Sequence, residues 1–139
     1  MIPLAEFRSE NNEILDLCRV VNVLIIDYEL RKNPVVCELL DRFLDRVDAH
    51  IMHEDRSIYG DLLAKHTAEA NKLASHFLGN TQELKRVMKD YKKSWCKADY
   101  EKEKHEGYVK ETQSIIKLVC DRIDFENHKI FPIFEESAA

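Results

Sequence analysis

The sequence holds only three glycines and three prolines in 139 residues. So little turn chemistry excludes a sandwich or barrel of many short strands, each of which needs its own punctuated turn. Cysteine is sparse too. Cys18, Cys37, Cys96 and Cys120 are far apart and form no CxxC pair, which argues against a zinc ribbon or a disulfide framework and for reduced, packed thiols. No apolar run reaches the roughly 18 residues of a membrane span, and MIPLAEFRSENN has no basic region ahead of an apolar core. The chain therefore reads as cytoplasmic, with no membrane partner. A net charge of -5 and a pI near 5.7, with no Lys/Arg cluster interleaved with aromatics, exclude a nucleic-acid surface. A Gly-rich phosphate loop and a nucleophile elbow are also missing, so binding is a better expectation than enzymatic turnover.

Hydrophobic residues make up 45% and charged residues 34%, a balance that suits long soluble helices in one domain over residues 1–139. Phe7, Ile14, Cys18, Val21, Ile25 and Tyr28 recur at three- and four-residue steps and predict a first helix over about residues 4–31. Asn33-Pro34 breaks that pattern and opens the second helix, whose stripe is Leu40, Phe43, Val47, His50, Glu54, Ile58 and Leu62. A turn is expected between residues 60 and 68, where Gly60 is the strongest punctuation. The third stripe reads Leu73, His76, Phe77, Asn80, Leu84, Val87, Tyr91 and Trp95. After the charged stretch KADYEKEKHE, the fourth reads Tyr108, Thr112, Ile115, Val119, Arg122, Glu126 and Ile130, and Phe131-Pro132 is expected to end it. Amphipathic helices of roughly 22–28 residues, joined by short loops, must bury their stripes on one another. The expected architecture is all-α, an antiparallel up-down-up-down four-helix bundle.

Seven polar residues interrupt these stripes: Asn11, His50, Glu54, His76, Asn80, Arg122 and Glu126. A polar group turned toward a core loses hydration unless it meets a partner or a metal, so they are expected to converge on one buried site. With helices alternating in direction, Asn11 should lie level with His50/Glu54, His76/Asn80 and Arg122/Glu126. A histidine and a carboxylate four residues apart on one helix can bind the same cation, as bundle cores do with iron or manganese.

The segment His50-Ile-Met-His-Glu54-Asp-Arg-Ser-Ile-Tyr resembles the HxxxE(E)xxLY/F segment of hemerythrin-like (HHE cation-binding) domains, and Glu126-Asn-His-Lys-Ile-Phe-Pro132 resembles their closing E(E)xxLFP. The resemblance covers essentially the whole chain and implies a non-haem iron site, mononuclear or dinuclear, that responds to dioxygen, nitric oxide or redox state. By register it implies His50, Glu54, His76 and Glu126 as metal ligands. Two positions depart from the pattern, because the first-helix histidine falls on Asn11 and the fourth-helix histidine on Arg122. Arginine carries a permanent charge and no acceptor, so it cannot bind metal but pairs well with Glu54 and Glu126. The chain also resembles, in parts, the bundle regulators of the major sigma factor (the regulator-of-sigma-D and alginate-regulator family), through Ser57-Ile-Tyr59, Asn80-Thr-Gln82 and Arg122 with Glu126. That second resemblance implies a metal-free bundle in which Arg122, Asn80 and Asn11 stand in place of a metal and the outer faces bind a protein.

Overall fold

The computed structural model describes residues 4–94 and 101–138, and all of its regular elements there are helical. Helix α1 spans Leu4–Leu24 and stops well short of residue 31, because Asp27 takes extended backbone angles and its side chain accepts a hydrogen bond from Glu29 N, starting a separate 3-10 turn at Tyr28–Lys32. Helix α2 spans Pro34–Glu54, with Asn33 accepting from Val35 N and Pro34 in the first turn, where its missing N–H costs nothing. It runs on through a widened π turn, Asp55–Tyr59, into α3, Gly60–Ala64.

The reversal comes at His66 rather than at Gly60. His66 has a φ of 54°, Thr67 Oγ1 accepts from Ala70 N, and α4 begins at Ala68 and ends at Ser94. Helix α5, His105–Phe125, is followed by a second π turn at Glu126–Ile130 and by α6, Phe131–Ala138. Phe131-Pro132 thus starts a helix instead of ending one, with Pro132 in the first turn after the widened ladder. The expected core position of Trp95 lies outside the described residues, as does Cys96.

The buried apolar side chains form two clusters. One joins Ile14, Cys18, Leu44, Val47, Ile51, Leu84, Val119 and Ile123 with their neighbours. The other joins Phe7, Ile58, Leu62, Ala70, Ala74, Phe77, Ile130 and Phe131. Each long helix carries a polar residue in the step between them: Asn11 between Phe7 and Ile14, Glu54 between Ile51 and Ile58, Thr81 between Phe77 and Leu84, and Glu126 between Ile123 and Ile130. A polar layer therefore divides the core. Contacts between the helices run in opposite order along the partners. Glu10 meets His50 while Glu13 meets Arg46, Thr81 meets Asp55 while Lys92 meets Asp45, and Asn80 meets Arg122 while Tyr91 meets Thr112.

The third helix is rotated relative to the stripe read from sequence. Its buried positions are Ala70, Ala74, Phe77, Thr81, Leu84, Met88 and Tyr91, so His76 is exposed and Asn80 only half-buried. Small alanines leave room for α4 to approach its neighbours, and those positions bury less apolar surface than the leucines that suggested the stripe.

Candidate metal centre

Glu54 and Glu126 are fully buried, each at 0% exposure, and Asn11, His50 and Arg122 are buried around them. Helix α2 supplies His50 and Glu54 one turn apart, with His50 Nε2 3.2 Å from Glu54 Oε1. Glu126 opens the π turn after α5 and faces them across the core. Both glutamates stand where the α-ladder widens to π, so the extra residue of each turn is accommodated beside the site.

Arg122 ties the layer together. Its Nε donates to Glu126 Oε2 at 3.1 Å and to Glu54 Oε1 at 3.4 Å, its Nη2 donates to Glu54 Oε1 at 3.3 Å, and its Nη1 donates to Thr81 Oγ1 at 2.5 Å and to Asn80 Oδ1 at 3.2 Å. The guanidinium also lies over the Phe77 ring, 4.2 Å from its centroid, and Nη2 is 3.7 Å from Asp55 Oδ1. Thr81 hands on the network by donating to Asp55 Oδ1 at 3.1 Å.

On the other side, Asn11 Nδ2 donates to Glu126 Oε1 at 3.0 Å, and His50 Nε2 lies 2.6 Å from Asn11 Oδ1. His50 Nδ1 lies 2.5 Å from Glu10 Oε2, so both ring nitrogens face oxygens. The ring also meets Phe7 edge-on, at a centroid distance of 6.1 Å.

Burial pushes the carboxyls of Glu54 and Glu126 above their ordinary range. Glu126 stands well above it, because the Glu54 charge adds to the burial, while the neighbouring Glu126 carboxyl and Arg122 hold Glu54 back. Arg122 is the fixed cation between the two buried carboxyls, and it balances the charge of one of them. No fixed donor reaches Glu54 Oε2, whose neighbour is the Glu126 carboxyl. Such an orphaned acceptor loses its hydration without return unless a proton or a cation comes to it.

One atom each from His50, Glu54 and Glu126 lies within 4.8 Å of the others, the span of ligands around a single ion. An imidazole and two carboxylates suit a first-row divalent cation. The donor set therefore fits one ion. A second ion does not fit, since Arg122 holds a permanent charge against both carboxylates. Of the residues expected at the site, Asn11, His50, Glu54, Arg122 and Glu126 come together, and Asn80 joins through Arg122. His76 does not: it is exposed and its ring stacks on Phe125 at 4.3 Å, on the outer side of α4. Sequence reasoning missed Glu10, Thr81 and Asp55. Glu10 sits beside the α1 stripe, and only its place one residue before Asn11 could have signalled it.

The model of the hemerythrin HHE cation binding domain matches residues 2–134. No curated protein and no solved structure matches significantly. No helix of the described residues is long and apolar enough to cross a membrane.

Proposed function

The chain belongs to the hemerythrin HHE cation-binding family, and we propose that it binds one divalent cation, iron foremost, through His50, Glu54 and Glu126. The observation that carries this reading is the buried donor triangle with an unpartnered Glu54 oxygen. Glu10 keeps the Nδ1 proton of His50 and so turns Nε2 inward, the arrangement in which a carboxylate orients a metal-binding imidazole. The cation would take the Nε2 lone pair of His50 and an oxygen each of Glu54 and Glu126, and Asn11 would turn to follow. Bound iron would supply a redox-active centre that answers to dioxygen, nitric oxide or redox state. Arg122 stays beside it as a fixed charge, which supports sensing at a single ion over carriage at a di-iron pair, and His76 is left out of the ligand set.

A second reading rests on the Arg122 network itself. A guanidinium shared among Glu54, Glu126, Asn80 and Thr81 can hold α2, α4 and α5 together without metal, leaving the outer faces to bind a protein as a regulator. We also read the four long helices as an antiparallel up-down-up-down bundle and residues 1–139 as a single cytoplasmic domain; the opposed order of the helix contacts supports the bundle.

The test is anaerobic titration of chelator-stripped protein with iron(II). One ion bound per chain at this site, lost in Glu126→Gln, is the expected result. Folded wild type that binds no iron would favour the second reading. Asn11→His with Arg122→His is expected to yield a coloured iron centre, read by visible absorption, because it puts two imidazoles at the site and removes the fixed charge.

A further inference from the structure

A second group of metal-ligating side chains lies outside the buried layer, where α1 meets α2. Glu6 and Glu10 are one turn apart on α1, and His53 is one turn after His50 on α2; one ligand atom from each lies within 4.8 Å of the others. His53 Nδ1 is 3.8 Å from Glu10 Oε1, too long for a hydrogen bond. It is, however, an ordinary separation for two ligands of one ion, since bonds of about 2.0–2.2 Å set neighbouring ligand atoms roughly 3–4 Å apart. Phe7 holds the His53 ring edge-on, with centroids 4.7 Å apart, and so fixes its direction.

Charge points the same way. Among the described residues no lysine or arginine pairs with Glu6 or Glu10; Arg8 goes to Glu135 and Arg46 to Glu13. A cleft of about 270 Å³, lined by Glu10, Arg46, Ala49, His50 and His53, leaves space for water to complete a coordination shell. The two oxygens of Glu10 divide between the sites: Oε2 accepts from the buried His50, and Oε1 faces His53.

We propose that Glu6, Glu10 and His53 form a second, solvent-facing site for a divalent transition cation at the mouth of the buried centre. A mixed set of two carboxylates and one imidazole, with water in the open positions, suits zinc or cobalt. Because Glu10 also orients His50, an ion here draws charge from the carboxylate that fixes the buried imidazole, and each site feels the occupancy of the other.

The experiment is calorimetric titration of chelator-stripped full chain with zinc(II), repeated with cobalt(II) and read by visible absorption. Wild type is expected to bind two ions, and His53→Gln and Glu6→Gln one each, the weaker ion losing roughly tenfold or more in affinity. Glu126→Gln is expected to keep the outer ion and lose the inner. If His53→Gln and Glu6→Gln, folded by circular dichroism, bind as wild type does, the outer site is overturned while the buried reading stands. If wild type binds a single ion that His53→Gln loses and Glu126→Gln keeps, the outer site stands and the buried reading fails.

Discussion

Burial, with the Glu54 charge beside it, makes the fold favour the protonated form of the Glu126 carboxyl, and this has a measurable sign. Its pKa is raised on folding, so the unfolded chain releases the proton first and the contribution to stability, full below the ordinary value of 4.5, is lost as pH rises through the folded value. For the metal-free protein, stability attributable to this group should fall with rising pH in that window, by about 1.4 kcal/mol per pH unit for one proton. Glu126→Gln, which mimics the protonated carboxyl, should flatten the slope in urea denaturation and raise stability at neutral pH. Arg122→Met should do the reverse, because it leaves Glu54 buried without its counter-charge; a loss of about 3–5 kcal/mol is expected in the metal-free protein. Cys18 offers a third reading at this scale. Burial, with Cys120 beside it, pushes its thiol up to about 12, so it stays protonated and should resist iodoacetamide in the native state, while the half-buried Cys37 and Cys120 react first.

At the scale of elements, the caps and the widened turns set where each side chain points. Asn33 closes the start of α2, and Asn33→Ala should cost about 1 kcal/mol in chemical denaturation by freeing the Val35 N–H. The burial of Asn11, His50, Glu54, Arg122 and Glu126 was legible in the sequence because each falls in step with large apolar neighbours. Burial on α4 was not legible in the same way: Ala70 and Ala74 are too small to mark a stripe, so Leu73 and His76 drew it one position away and Thr81 went unseen. The π turns left no sequence signal, since Glu54, Ile58 and Leu62 keep a four-residue step with or without the widened ladder. Helix ends were hard to place for a similar reason. Ile25 and Tyr28 continue the α1 pattern, while Asp27 ends the helix through a local hydrogen bond that periodicity cannot see.

The described core is two apolar clusters separated by one polar layer, and the proposed cation site lies in that layer. The layer sets the fixed charge of Arg122 between two buried carboxyls, and no fixed donor reaches Glu54 Oε2. Under the proposed reading, a divalent ion would take that acceptor by displacing protons. The most direct measurement is metal content by inductively coupled plasma mass spectrometry, on wild type and Glu126→Gln reconstituted side by side with iron(II) and desalted. Wild type carrying one ion per chain more than Glu126→Gln is the expected result. Equal content in the two folded proteins would contradict a cation held by His50, Glu54 and Glu126.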